Sequence, residues 1–294
     1  MNPMQGRDFK PFESFVWQLA HGRTLELGPR AVIMGILNVT PDSFSDGGRH
    51  AGQEAALAGA RAMREEGAAI IDVGGESTRP GAEPVSAEEE QARVLPVIRA
   101  LAAEPGMLVS VDTYRAETAR LALAAGAHIV NDVWGLQKEP AIAAVIAAAG
   151  AGCVVMHTGR ERERLPDPLA DQFAFLDRSL AVAAAAGIDR RAIVLDPGFG
   201  FGKDWQENLQ LLAGFERLHG FGQPLVCGTS RKRFLGHVTG REVGERDIAT
   251  AATGAIARMR GVAIFRVHDV RASRDALAVA DAVLAAGGQI GAAP

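Results

Sequence analysis

Two groups of side chains in this 294-residue chain have the types and spacing to do chemistry. Arg79, Arg231, Lys232, Arg266 and His268 are cationic or readily become so, and Asn38 adds an amide oxygen. Guanidinium forks match phosphate oxygens in pairs, and a hard cation such as Mg2+ needs few protein ligands once phosphate oxygens supply the rest. That mixture suits a phosphate ester bound together with a divalent ion. Asp112 and Asp196 cannot share the role without repulsion. Buried carboxylates instead accept paired hydrogen bonds from ring N–H and amino groups, and Asn131 matches one further donor or acceptor. The implied ligand carries an anion at one end and a polar aromatic ring at the other.

The segment Asp196-Pro197-Gly198-Phe199-Gly200-Phe201-Gly202-Lys203 has the glycine content of a phosphate-cradling loop but not its spacing. Such a loop needs Gly, four residues, Gly-Lys and then Ser or Thr, whereas Pro197 takes the first position and Asp204 follows the lysine. What remains is a carboxylate at a strand end, glycines that permit close backbone approach, and two phenylalanines able to cover a flat ligand.

These residues must be held together by something, and eight short apolar runs provide it. Val32–Leu37 leads to Asn38, Ala69–Ile71 to Asp72 and Thr78-Arg79, Met107–Val111 to Asp112, and Ala127–Val130 to Asn131-Asp132. Cys153–Met156 leads to His157, Ala192–Leu195 to Asp196, Leu225–Cys227 to Ser230-Arg231-Lys232, and Val262–Phe265 to Arg266 and His268. Short β-branched runs flanked by Gly, Pro and Asp read as buried parallel strands, whose interiors cannot hold unpaired polar groups, so function sits where the strands stop. In a (β/α)8 TIM barrel, an α/β fold, all eight stops surround one mouth at the C-terminal ends of the strands.

Alanine-rich stretches with helical spacing fill the intervals: Glu54–Glu66, Ala87–Ala103, Ala116–Ala125, Ala141–Ala149, Leu169–Ala186, Trp205–Leu218, Glu245–Arg260 and Arg274–Ala286. Ser86 with Glu89 resembles a capping box, and Gly67, Gly126 and Gly187 stand where helix ends favour a positive φ. Pro96 is expected to kink its helix or shift its start. Gly28-Pro29 reads as a turn between two extended pieces, the first of which is placed to plug the barrel's base. The division is therefore 1–31 as an N-terminal extension with a hairpin, 32–288 as the barrel and 289–294 as a tail. Two connections, Val39–Gly52 and Gly74–Val85, are long and glycine-rich, as lids often are.

Composition agrees with one large domain: 48% of residues are apolar, enough for a closed strand layer and its helices. A net charge of −4 with no basic stripe disfavours a nucleic-acid partner. No run approaches the roughly 20 apolar residues that span a bilayer, and Met1–Arg30 lacks the pattern of a secretory signal. Cys153 and Cys227 lie inside strand runs without metal-ligand spacing and read as small buried hydrophobes, in keeping with a reducing cytoplasm.

Met34-Gly35-Ile36-Leu37-Asn38-Val39-Thr40-Pro41-Asp42-Ser43-Phe44-Ser45-Asp46-Gly47-Gly48 and Gly74-Gly75-Glu76-Ser77-Thr78-Arg79-Pro80-Gly81 resemble the two signature loops of the dihydropteroate synthase family. Val111-Asp112-Thr113, Asn131-Asp132, Asp196–Lys203, Thr229-Ser230-Arg231-Lys232 and Arg266-Val267-His268-Asp269-Val270 resemble its later motifs, in order, from Val32 to Ala286. The resemblance implies a folate-pathway transferase that joins 6-hydroxymethyl-7,8-dihydropterin diphosphate to 4-aminobenzoate. It implies Mg2+ on Asn38, the pterin on Asp112, Asn131, Asp196 and Lys232, and the diphosphate on Arg266 and His268, with Thr78 also at that site. Met156 would pack near the pterin and Phe201 would line the aminobenzoate pocket. Phe44, Asp46, Arg79 and Pro80 would close over the reacting centre, where Asp46, Arg79, Asp112 and Lys232 act. A homodimer is implied as well. Closure of the two long loops would exclude water, so that the amine rather than solvent captures the pterin carbon.

Two places depart from the family pattern. Met156-His157-Thr158-Gly159-Arg160 replaces the more usual Met-x-Gly sequence, and the charged run Arg160–Arg164 reads as a solvated loop. Arg233 stands where a serine is common. His157 and His128 read as satisfied barrel histidines. Competing readings are a pterin-binding methyltransferase, which has no use for the diphosphate cluster, a Schiff-base aldolase using Lys232 or Lys203, and a pterin-binding paralogue without turnover.

Overall fold

The structure is a computed structural model and describes residues 9–39, 48–76 and 85–291. It opens with an antiparallel hairpin, β1 (Phe15–Gln18) and β2 (Thr24–Leu27), in which Phe15 faces Leu27 and Gln18 faces Thr24. Eight parallel strands follow: β3 (Val32–Asn38), β4 (Ile70–Gly74), β5 (Leu108–Asp112), β6 (Ile129–Asp132), β7 (Gly152–Met156), β8 (Ile193–Asp196), β9 (Val226–Cys227) and β10 (Ile264–Val267). Their order is β8-β7-β6-β5-β4-β3-β10-β9, and a parallel bridge between Leu195 and Leu225 joins the two ends. The sheet is thus closed, and the expected (β/α)8 barrel is the observed fold.

Successive strand residues divide the core, because side chains on a strand alternate between its two faces. Ile71, Val109, Val130, Cys153, Leu195, Cys227 and Phe265 turn outward and pack with Val97, Ile98, Ile142, Ile146 and Leu176 of the surrounding helices. Their neighbours Ile70, Leu108, Ile129, Val154, Val194, Val226 and Ile264 turn inward and meet Trp17, Leu19 and Leu27 of the hairpin. The hairpin accordingly seals the base, and the Trp17 indole N–H donates to the carbonyl of Ala192 at 2.8 Å. Both cysteines are buried thiols, as their strand positions require.

The helices are α1 (Gly48–Glu66), α2 (Ala87–Ala102), α3 (Ala116–Ala124), α4 (Ala141–Ala149), α5 (Pro168–Ala186), α6 (Trp205–Ala213), α7 (Arg233–Thr239), α8 (Asp247–Met259) and α9 (Val270–Ala286). None of those described is long and apolar enough to cross a membrane. Ser86 caps α2 by accepting from the Glu89 N–H, and Gly67, Gly126 and Gly187 do have positive φ. Three expectations need correction. α2 starts where expected and continues past Pro96 without a break; the carbonyl that loses its partner belongs to Ala92, which faces solvent. The helix expected over Trp205–Leu218 ends at Ala213 and gives way to a 3-10 turn over Phe215–Phe221, with Gly214, a poor helix former, at the break. α1 begins at Gly48, inside the stretch expected to be loop.

Fully buried Arg258 joins the end of α8 to other elements. It donates to Asp281 of α9 at 2.5 Å, to the carbonyl of Val262 at 3.2 Å and to that of Gly28 at 3.0 Å. The turn after β2 is thereby fastened to the last two helices.

Candidate active site at the strand ends

Asp112, Asn131, Met156, Asp196 and Arg266 stand at or near the C-terminal ends of five different strands, and Lys232 follows β9. All six line one pocket, together with Val133, Gly198, Phe199, Phe201 and Gly228. A separate surface depression, between α1 and α9, is lined by Glu65, Glu66, Arg271 and Arg274 and lies away from these strand ends.

The centre of the pocket is an ion network. Arg266 donates from Nε to Asp72 Oδ2 at 2.7 Å and from a terminal nitrogen to Asp112 Oδ2 at 2.8 Å. Asn131 donates from Nδ2 to that same oxygen of Asp72 at 3.0 Å. Asp72 is fully buried, and its other oxygen has no partner among the described residues. With its amide nitrogen committed to Asp72, Asn131 keeps its oxygen as an acceptor for a ligand. Two of the five N–H donors of the Arg266 guanidinium are used here, which leaves others for an anion.

The charges shape one another. Burial pushes Asp112 up to about 7; Arg266 and Lys232 oppose the push, while Asp72 and Glu90 add to it. Burial likewise raises Asp196, against the Gly198 N–H that donates to its Oδ1 at 2.7 Å. It pulls Lys232 down to about 8, with Arg266 and Arg160 adding to the pull and Asp196 and Asp112 opposing it. For Arg266, Asp72 and Asp112 outweigh burial and hold the guanidinium more firmly protonated than usual.

Phe201 packs with Val133, Met156 and the partly buried Trp134 in a small apolar cluster. Lys232 Nζ lies 4.2 Å from the centre of its ring and the Arg160 guanidinium 4.4 Å. An aromatic wall flanked by two cations is suited to a flat, electron-rich or anionic ring. Phe199, by contrast, is fully buried against Phe215 and Phe234, so one of the two phenylalanines belongs largely to the barrel.

Asn38 ends β3 beside Gly74, in register with it. A Cβ placed on Gly74 would come 3.9 Å from both Asn38 Oδ1 and Asp112 Oδ2, so the amide oxygen adjoins the carboxylate end of the pocket. Across the mouth, Ser230 Oγ lies 2.9 Å from His268 Nδ1 and accepts the His268 backbone N–H at 3.1 Å. The serine hydroxyl thereby fixes the orientation of the imidazole at the rim.

Some sequence expectations place differently. Arg231 adopts a φ of +56° and pairs with both oxygens of Asp247, at 2.7 and 2.8 Å, which commits it to α8 rather than the mouth. The run from Arg160 to Arg164 is a loop with Glu161, Glu163 and Arg164 exposed, as expected, but two of its arginines are tied down: Arg162 binds Asp171, and Arg164 binds Glu207 at 2.8 Å. His157 and His128 are satisfied, His157 by Asp171 at 3.0 Å and His128 by the Val109 N–H at 3.1 Å. Phe44, Asp46, Thr78, Arg79 and Pro80 lie outside the described residues. Sequence alone assigned no role to Asp72; its signal was a carboxylate inside an otherwise apolar strand.

A barrel whose mouth pairs carboxylate and amide acceptors with a cationic rim is that of a pterin-binding enzyme, and the family described as "Pterin binding enzyme" matches residues 34–268. The dihydropteroate synthase of Bacillus subtilis (strain 168) is 46% identical over 262 residues, spanning 88% of this chain and 90% of that protein. That of Mycobacterium leprae (strain TN) is 46% identical over 279 residues, 90% of this chain and 98% of that protein. Among solved structures, Xanthomonas albilineans dihydropteroate synthase with 4-aminobenzoic acid is 46% identical, superposes with a TM-score of 0.87, and is matched over 92% of this chain and 99% of that one. The same enzyme in complex with 7,8-dihydropteroate gives a TM-score of 0.83 at 44% identity, over 91% of this chain and 99% of that one. The chain belongs to the dihydropteroate synthase family of pterin-binding enzymes. It is a transferase of folate biosynthesis.

Proposed function

We propose that the two ends of the mouth divide the dihydropteroate synthase reaction between them. The reaction condenses 6-hydroxymethyl-7,8-dihydropterin diphosphate with 4-aminobenzoate and yields 7,8-dihydropteroate and diphosphate. Asp112, Asn131 and Asp196 accept from the pterin's ring N–H and amino groups, Lys232 donates to the ring, and Met156 packs beneath it. Arg266 and His268, with Thr78, hold the diphosphate. Phe201 walls the aminobenzoate, and Phe44, Asp46, Arg79 and Pro80 close over the reacting centre. The observation that carries this reading is the gathering of Asp112, Asn131 and Asp196 in one pocket with Lys232 and Arg266.

The chain presents binding groups rather than a nucleophile, which suits a reaction in which leaving-group departure runs ahead of capture. The carbon–oxygen bond breaks with its electron pair going to the diphosphate, and the dihydropterin ring spreads the positive charge. The amine nitrogen then supplies the pair for the new carbon–nitrogen bond and gives up a proton. Arg266 and His268 favour this path by meeting the charge that grows on the diphosphate. The carboxylates at the ring end meet the opposite charge.

Asn38 offers a neutral oxygen donor, and no group of three or more His, Cys, Asp or Glu among the described residues could hold a metal by itself. Such a site fits Mg2+ that takes one ligand from Asn38 and the rest from diphosphate and water. Bound there, the ion would stabilise negative charge on the departing oxygens. A cytoplasmic homodimer belongs to the same proposal and is supported by the family resemblance. So does the division of the chain, with 1–31 sealing the base, 32–288 carrying the site and 289–294 as a tail.

Incubation of the purified protein with the pterin diphosphate, 4-aminobenzoate and Mg2+ tests the function. Dihydropteroate should form in step with released diphosphate. Tight pterin binding with no coupled product would instead mark a paralogue that binds without turnover, and an adduct trapped by borohydride would mark a Schiff-base enzyme.

A further inference from the structure

Lys203 closes the glycine-rich turn after β8 and has no part in the binding scheme above. Its side chain is half-buried, and the ammonium lies 2.9 Å from His157 Nδ1, 2.8 Å from the carbonyl oxygen of Gly198 and 3.4 Å from that of Phe201. An ammonium has three donors, and these are three acceptors. His157 is fully buried, and its Nε2 lies 3.0 Å from both Asp171 Oδ2 and an Arg162 guanidinium nitrogen; since the Lys203 ammonium can only donate to Nδ1, the ring proton sits on Nε2 and goes to Asp171. Asp171, in the first turn of α5, is itself held by Arg162 and by the Leu165 N–H at 2.9 Å. A line of donors and acceptors therefore runs from α5 through the imidazole to two carbonyls of the turn.

Other bonds also hold the turn, among them Gly200 N–H to Asn208 Oδ1 at 2.7 Å and the Gln172 amide to the Pro197 carbonyl at 3.1 Å, but among these contacts Lys203 alone ties the Gly198 and Phe201 carbonyls to His157. Gly198, Gly200 and Gly202 have φ of +63°, +78° and +66°, so its backbone depends on conformations that side chains disfavour. A Cβ on Gly198 would stand 1.9 Å from the His157 carbonyl oxygen, and one on Gly202 would stand 2.5 Å from Gly159, so this loop and the loop after β7 touch backbone to backbone. Gly159 donates to the Phe201 carbonyl at 3.0 Å, and His157 donates from its backbone to the Asp196 carbonyl at 2.8 Å. The same turn carries Asp196, which faces the pterin, and Phe201, which walls the aminobenzoate.

We propose that Lys203 is a positioning residue: aimed by His157 and Asp171, its ammonium sets the Asp196–Phe201 turn so that ring acceptor and aromatic wall meet the two substrates in one register. The proposal rests on the roles given above to Asp196 and Phe201. Burial pulls Lys203 down to about 7 and His157 to about 3, which agrees with a neutral imidazole accepting from the amine. Arginine cannot substitute, since its planar fork does not direct three donors at these acceptors. Displacements of about 1 Å at a reacting centre cost roughly a hundredfold in rate, so a loosened turn is kinetically visible even in a folded protein.

The experiment compares Lys203→Met, Lys203→Gln, His157→Phe and the double variant Lys203→Met/His157→Phe in the full-length enzyme, each scaled to its content of folded sites by binding of 6-hydroxymethylpterin. Each single variant should lower kcat/KM for 4-aminobenzoate roughly a hundredfold, mainly through KM, with the pterin dissociation constant raised several-fold. The double variant should be no worse than either single one, because the two side chains act as one unit. A lysine that merely stabilises the fold would lower the folded fraction and leave both constants unchanged per folded site, and that result overturns the proposal. Additive losses in the double variant overturn it too. If Lys203→Met does not fold, Lys203→Gln and His157→Phe decide by the same constants. Wild-type protein that fails to couple the substrates would instead refute the assigned function.

Discussion

Arg266 Nε donates to Asp72 Oδ2 across 2.7 Å, linking the last strand of the barrel to the second. The oxygen it reaches also accepts from Asn131, so one buried carboxylate sets Arg266 and Asn131 together. The first prediction concerns Asp72. Replacing it with Ala leaves Arg266 with Asp112 as its remaining carboxylate partner and frees the Asn131 amide to turn. Losing two hydrogen bonds to a buried carboxylate costs about 2–3 kcal/mol, and the thermal midpoint should fall accordingly. Asp72→Asn, which keeps the shape, should cost less stability yet weaken pterin binding about tenfold, or roughly 1.4 kcal/mol by calorimetry. Unchanged pterin affinity in Asp72→Asn would mean that Asn131 is oriented by something else.

The second concerns pH. On the proposed reading Asp112 accepts two ring donors while ionised, and burial pushes it up to about 7, so affinity should be present above that point and lost as pH falls through it. Lys232 donates only while protonated, and at about 8 it loses its charge as pH rises. The profile of kcat/KM for the pterin substrate should therefore be a narrow bell between these limits. In Asp112→Asn the acid limb should disappear along with most of the activity. An acid limb that persists would assign it elsewhere.

The same carboxyl predicts a gain in stability on its removal. A carboxyl whose folded pKa lies above its unfolded value favours the fold when protonated, and that contribution is lost as pH rises from about 4 to about 7. Neutral Asn escapes the loss, so Asp112→Asn should be more stable than the parent at pH 8, by of order 2 kcal/mol, and nearly equal to it at pH 4. Thermal unfolding at the two pH values reads the difference.

Far from the mouth, Arg258→Ala removes the contacts to Asp281, Val262 and Gly28. A loss of about 3–5 kcal/mol is expected in denaturant unfolding, because Asp281 loses its only cation and keeps just the Ala31 N–H at 3.1 Å among the described residues. Pterin affinity per folded molecule should not change. A change would mean that the α8–α9 end of the barrel communicates with the strand ends.

For the metal, Asn38→Ala should raise the Mg2+ concentration needed for half-maximal turnover roughly tenfold while leaving the binding of diphosphate-free pterin intact. Equal Mg2+ requirements in the two proteins would remove Asn38 from the ligand set.

The barrel was legible because its signals are local and repeated. Eight apolar runs and the alanine-rich intervals carry their own periodicity, and Asp112, Asn131 and Asp196 all sit where a strand must stop. What escaped notice depends on contacts between distant elements. Asp72 is a hub only because β4, β6 and β10 bring Asn131 and Arg266 to it. Arg231 faces α8 because its backbone takes a φ of +56°, which composition does not announce. α7 has seven residues, too few for a helical period to emerge. The arginines after Met156 resemble loop charge until Asp171 and Glu207 are seen to receive them.

The central claim is a mouth with separate ends for a ring and an anion. Calorimetric titration of wild type, Asp196→Asn and His268→Ala with 6-hydroxymethylpterin and, separately, with diphosphate plus Mg2+ tests it most directly. Asp196→Asn should lose at least roughly tenfold in pterin affinity and keep diphosphate binding within about threefold, and His268→Ala should do the reverse. Parallel losses for both ligands in both variants would contradict the division.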